Sequence, residues 1–117
     1  MPVFRTKKTG FEWLSSGQKT IDIRKGNLIR GDIAVYFCGR RVLRVKITRT
    51  ETGRLRDVVQ LNNFRLVIPS VVTVDDAIGY LQGLYLGYDG LFTAYYVGVP
   101  EDADTKNVSL KAYRFCL

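Results

Sequence analysis

The chain has no histidine among its 117 residues, which removes Ser-His-Asp triads, paired-imidazole ribonuclease chemistry and zinc sites built on imidazole. Any acid–base catalysis would have to run on Lys, Asp, Glu, Tyr or Cys. Cysteine is almost as scarce. Cys38 and Cys116 have no CxxC spacing and no histidine neighbours, which predicts two reduced, mostly buried thiols in a cytoplasmic protein. There are three prolines, and no Pro/Ser linker, repeat or low-complexity tract divides the sequence. The longest apolar stretch, Leu66 to Val74, is interrupted by Pro69 and Ser70 and cannot span a membrane. The first ten residues are too polar for a signal sequence. One domain over 1–117 is the expectation, with no membrane, metal or other cofactor. That length buries roughly two-thirds of the surface the unfolded chain exposes, enough for a core without disulfides.

What is present is charge of one sign in one place. The formal net charge is +7, and fourteen of the eighteen Lys and Arg fall within residues 1–60, against five of the eleven acids. A basic half joined to a slightly acidic one is the electrostatic footprint of a polyanion-binding domain, with RNA or DNA the leading partner.

Along the chain, a basic lead (Arg5, Lys7, Lys8) precedes a short helix from a Thr9 cap to Ser16, with Phe11 and Leu14 three apart and Gly17 as its stop. Lys19 to Arg24 alternates as a strand, Ile21 and Ile23 on one face, Thr20, Asp22 and Arg24 on the other. After a basic loop and a Gly31-Asp32 turn come a strand over Ile33 to Phe37 and a second from Val42 to Thr50. In the latter Leu43, Val45 and Ile47 oppose Arg44, Lys46 and Thr48. This hairpin is expected to show its cations to solvent. Residues 51–57 read as a charged loop, and Val58 to Leu61 and Phe64 to Ile68 as extended. A helix follows from Thr73, with Asp76 completing a capping box and Ala77, Ile78, Leu81, Leu84 and Tyr85 forming its stripe. Gly79 and Gly83 in that helix suggest close packing on the sheet. Strands over Leu91 to Val99 and Val108 to Cys116 close the pattern. Many short strands with one or two covering helices predict an α+β fold built as a small, partly open barrel.

The informative constellation is Gly17-Gln18-Lys19-Thr20-Ile21-Asp22-Ile23-Arg24. A glycine turn delivers a lysine, a carboxylate and an arginine within eight residues. The cations can grip phosphate or polarise a carbonyl, and the carboxylate can pair with them or accept from a base amine. The simpler reading of the same residues is an ion pair on a strand surface.

The helix, the GxKxxDxR run, the glycine-aspartate turn into a strand and the Thr-x-x-Asp helix before a closing strand resemble, in order and over most of the chain, the ASCH domain family, whose usual signature is GxKxxExR. The resemblance implies a PUA-like fold, a small mixed, partly open β-barrel flanked by two or more helices with a cleft between barrel and helices, and an association with RNA. Asp22 stands where the signature has glutamate, one methylene shorter. The N4-acetylcytidine amidohydrolase branch of that family is similar at GxKTIxIR and uses a lysine, a threonine and a glutamate. By that resemblance Lys19 matches the lysine, Asp76 falls where the glutamate would be, and Asp22 occupies the threonine position. Hydrolysis would then need Asp22 to activate water, or to attack itself, with Lys19 as proton donor. RNA cleavage, linked with other family members, would have only Asp22 and Asp76 as obvious carboxylates for a metal.

The function expected is therefore recognition of RNA, or of a modified nucleoside, in a cleft containing Lys19, Asp22 and Arg24. Lys25, Arg30, Arg40, Arg41, Arg44, Lys46 and Arg49 are expected along its rim. Tyr36 or Trp13 are candidates for stacking on a base. An amidohydrolase on acylated pyrimidine nucleosides, an RNA-cleaving protein, and a module docking an acidic protein are the alternatives.

Overall fold

The computed structural model describes residues 1–98. Its elements in chain order are β1 (Val3–Arg5), α1 (Lys8–Ser16), β2 (Ile21–Lys25), β3 (Ile33–Cys38), β4 (Arg41–Gly53), α2 (Leu55–Val58), α3 (Phe64–Val67), α4 (Val74–Leu84) and β5 (Phe92–Val97). The strand expected over Val108 to Cys116 lies outside the described residues.

The five strands form one sheet in the order β1-β3-β4-β5-β2, with β1 parallel to β3 and every other pair antiparallel. The sheet curls into a half-barrel, the small, partly open α+β barrel that the strand pattern predicts. Its two terminal strands, β1 and β2, share no ladder. They are joined instead by a side chain, the Arg24 guanidinium donating to the Arg5 carbonyl at 2.9 Å. Two cores fill the two faces. Phe4, Leu14, Ala34, Tyr36, Val45, Tyr95 and Val97 pack inside the curl. Ile21, Ile23, Phe92 and Ala94 face the other way, against buried residues of α2, α3 and α4.

Several local expectations change. The 51–57 loop is the end of a thirteen-residue β4, bent by an irregularity between Ile47 and Arg49, followed by α2. Helix α2 takes up the end of that loop and Val58, and the segment Phe64 to Ile68 read as extended holds α3; the buried residues of each are spaced by three, Leu55/Val58 and Phe64/Val67. Asn63 ties the two together, accepting from the Gln60 amide at 2.7 Å and donating to the Val58 carbonyl at 3.0 Å. Helix α1 starts one residue before Thr9, with Lys7 at its cap. It ends where expected, at Gly17, whose φ of 81° is the left-handed conformation glycine tolerates best. In α4 the Thr73 hydroxyl accepts the Asp76 amide at 3.1 Å. Gly79 and Gly83 look into open space, since a Cβ at either would meet nothing within 4 Å. They are not close-packing sites.

Candidate functional site

Lys19, Asp22 and Arg24 meet at a cleft of about 400 Å³ bounded by the start of the chain and α1 on one side and the second half of α4 on the other. Local geometry dictates the meeting. Gly17 reverses the chain, the Lys19 amide bonds the Trp13 carbonyl at 3.0 Å, and the Thr20 amide bonds the Leu66 carbonyl at 3.0 Å. That short tether puts Lys19 at the mouth of the curl before β2 begins. Along β2 the period of two then sends Asp22 and Arg24 to the inner face. Sequence alternation placed them correctly opposite Ile21 and Ile23. Their face is the half-barrel's mouth, however, and Asp22 is only 5% exposed.

The three side chains form one network. Arg24 Nε donates to Asp22 Oδ2 at 2.6 Å. The same guanidinium lies 4.6 Å from the Phe4 ring centroid and 5.7 Å from that of Tyr36. Arg24 is thus held by a carboxylate, a carbonyl and two rings. The Lys19 ammonium donates to the Val67 carbonyl and lies 3.9 Å from Asp22 Oδ1. Burial pulls the Lys19 amine from 10.5 down to about 8; the Asp22 charge opposes this and Arg24 reinforces it. Beneath them Tyr36 is fully buried, and burial together with Asp22 pushes its phenol upward.

Chemically, the arrangement offers a lysine able to hold or release a proton at mildly alkaline pH. One of its three donors is used by Val67. Beside it stands a carboxylate whose Oδ2 is taken by Arg24 and whose Oδ1 retains acceptor capacity. Trp13, Tyr80, Leu84 and Tyr85 supply apolar wall, and Lys7 a further cation.

Other expected residues lie elsewhere. Asp76 is exposed in the first turn of α4, where its backbone amide donates to the Thr73 hydroxyl; α4 enters the cleft only from Tyr80 onward. The Asp22/Asp76 pair is therefore not assembled, and no group of three His, Cys, Asp or Glu among the described residues could hold a metal.

The expected basic rim is not at the cleft either, because Lys25, Arg30, Arg40, Arg41, Arg44, Lys46 and Arg49 are absent from its lining. Lys25 is exposed above the Tyr88 ring at 4.4 Å. Arg30 is exposed in the loop before β3 and Arg40 in the β3–β4 turn. Arg44 and Lys46 point outward from β4 as expected. Arg49 is exposed but pairs with Glu51 at 2.7 Å. Arg41 contradicts the solvent-facing expectation. It shares the inward parity of Leu43 and Val45, and is buried 5.6 Å from the Phe11 ring and 3.8 Å from Glu12 Oε1.

Of the stacking candidates, Trp13 lines the cleft, whereas Tyr36 is sealed in the inner core. Sequence reasoning missed Tyr80 and Lys7. The signal for Tyr80 was present: an exposed aromatic four residues before Leu84, on the flank of the apolar stripe of α4.

No family model matches the chain, and no curated protein matches it in sequence. Solved structures match it in shape. The chain is similar to hypothetical protein PH0355, with a TM-score of 0.67 and 14% identity over 84% of this chain and 96% of that one. It is also similar to ASCH from Zymomonas mobilis, with a TM-score of 0.61 and 14% identity over 84% of this chain and 68% of that one. A single-substitution mutant of the same Zymomonas mobilis protein gives 0.61 at 15% identity. The chain has the ASCH-domain fold, as the order of its motifs implies.

Proposed function

We propose that the cleft recognises a nucleoside unit of RNA, or a modified nucleoside, through Lys19 and Asp22, with Arg24 as the clamp that fixes the carboxylate. The observation that carries this reading is the buried Lys19–Asp22–Arg24 network at the base of a cleft with aromatic walls. A nucleobase presents flat faces for Trp13 and Tyr80, a carbonyl for the remaining Lys19 protons and an amine for Asp22 Oδ1. Trp13 is the only tryptophan in the chain, so its emission reports on the cleft directly. Titration with cytidine, N4-acetylcytidine and a short oligonucleotide is expected to quench it. Lys19→Met should weaken the response at least tenfold. If none of the three ligands quenches Trp13, the reading is wrong.

The lowered Lys19 pKa favours a second reading, hydrolysis of an acylated nucleoside. Asp22 would accept a proton from the attacking water, and protonated Lys19 would give one to the departing amine, so that N4-acetylcytidine and water yield cytidine and acetate. Asp76 has no part in this scheme. Release of cytidine by the wild type, lost in Lys19→Met, is the expected result. No turnover by the wild type rejects hydrolysis while leaving recognition to the quenching titration.

A further inference from the structure

Two of the cations that do not reach the cleft, Arg44 and Lys46, share one face of the sheet. The strand registers align Val3, Val35 and Arg44 across β1, β3 and β4, then Arg5, Phe37 and Val42, then Ile33 with Lys46. Phe4, Tyr36 and Leu43, one residue out of step, point into the inner core, so these rows share the outer face of the half-barrel. The helices α2–α4 cover the outer face at β2 and β5, against Ile21, Ile23, Phe92 and Ala94. At β1, β3 and β4 no helix among the described residues covers that face, and Val3 is 56% and Val42 55% exposed.

That face is apolar along its middle and cationic along β4. Arg40, Arg44 and Lys46 form no ion pair among the described residues, whereas Arg24, Arg41 and Arg49 each face a carboxylate. The aligned rows contain no Asp or Glu. Arg5 links the two surfaces. Its carbonyl receives Arg24 at the cleft, and its guanidinium lies 5.9 Å from the ring centroid of Phe37 on the outer face.

We propose that this outer face of β1, β3 and β4 is a second binding surface, separate from the cleft, that holds the backbone of single-stranded nucleic acid. Arg44 and Lys46, two residues apart, repeat at about 7 Å along the strand, on the scale at which an extended polynucleotide presents its phosphates. Phe37 and the valines offer the flat apolar ground on which bases lie. A second copy of the chain is a poorer occupant. A two-fold face-to-face contact would bring together two copies of the same cationic face, with no acid in the rows to offset them.

The test is fluorescence anisotropy of a labelled oligouridylate with the full chain across a salt series. Arg44→Ala/Lys46→Ala should lose at least tenfold in affinity at low salt. It should also flatten the slope of log K against log salt by about 1.4, close to 0.7 for each lost phosphate contact. Arg44→Ala/Lys46→Ala should still show the cytidine response of Trp13 emission, since neither residue lines the cleft, which separates this surface from the cleft. The charge-matched control Arg56→Ala/Arg65→Ala removes two exposed cations from the helical side and should keep most of the affinity. The proposal is overturned if the control loses as much as the β4 variant, for then net charge alone binds the probe. It is equally overturned if polyglutamate displaces the probe at equal charge concentration, which assigns the face to an acidic protein. A dimer that dissociates in the Arg44→Ala/Lys46→Ala variant would assign it to a second copy and would also overturn it.

Discussion

Replacing Lys19 with methionine removes a titrating amine from the cleft and keeps an unbranched side chain, so the difference between the two proteins isolates what that amine does to stability. In the unfolded chain it titrates near 10.5. In the folded chain burial brings it to about 8, against the pull of Asp22 and with the help of Arg24. A lysine whose folded pKa lies below its unfolded value binds more protons unfolded than folded between the two, so stability rises with pH across that window. The full displacement is worth about 3 kcal/mol, at about 1.4 kcal/mol per pH unit. Between pH 7 and pH 9.5 about 2 kcal/mol of it is regained. Urea denaturation at pH 7, 8, 9 and 9.5 should therefore show wild type gaining on Lys19→Met. The relative shift in midpoint should reach about 1 M. Titrations of other groups occur in both proteins and cancel in the difference. A flat difference would mean that the amine is not desolvated. A difference that falls as pH rises would mean that attraction to Asp22 outweighs burial and raises the pKa. Either result refutes the account of the site.

Arg24→Lys should cost about 2–3 kcal/mol although the charge is kept, because an ammonium cannot hold Asp22 and the Arg5 carbonyl while lying against Phe4 and Tyr36; a thermal melt should show a fall of roughly 10 °C, and an unchanged melt would deny Arg24 its clamping role. Thr73→Ala, which removes the side-chain cap of α4, should cost about 1 kcal/mol. Asp76→Asn, which alters only an exposed carboxylate near a helix start, should cost less than about 1 kcal/mol and leave ligand binding in the cleft intact. Loss of binding in Asp76→Asn would place that carboxylate in the site after all.

The sequence reads well where side-chain period and chain direction agree. Gly17, Lys19, Asp22 and Arg24 are separated by a left-handed stop and a regular strand, so spacing alone brings them together. The β3–β4 hairpin is legible for the same reason, and its outward Arg44 and Lys46 stand where alternation puts them. It is less legible where a few residues decide. Leu55/Val58 and Phe64/Val67 provide one turn each, too short for a helical period to stand out from a strand, and the Asn63 bonds that fix them, though local, leave no mark on hydrophobic spacing. Arg41 was misread because charge was taken as a sign of exposure. Parity along β4 puts it inside, where Glu12 and the Phe11 ring offset its burial. The basic rim failed for a topological reason. Sequence order sets β2 and the hairpin side by side, but β5 inserts between β4 and β2 in the sheet, carrying the hairpin cations away from the Lys19 cleft.

That insertion also explains why the mouth of the half-barrel is usable at all. Among the described residues, with β5 between β4 and β2, the sheet ends on β1 and β2, whose backbones do not pair, and Arg24 reaches across. A ladder there would have satisfied the edges and sealed the interior. A side-chain bridge satisfies one carbonyl and leaves the gap beside it open to Asp22 and Lys19. Burying those two groups without Arg24 would leave a carboxylate and an amine 3.9 Å apart, too far for a hydrogen bond between them. With the guanidinium present, Asp22 is fixed by a hydrogen bond of 2.6 Å while Lys19 keeps donors to spare. The residue that closes the fold is therefore also the one that holds the carboxylate in place for a ligand, so substitutions at Arg24 should lower stability and ligand binding together, whereas those at Lys19 should separate the two.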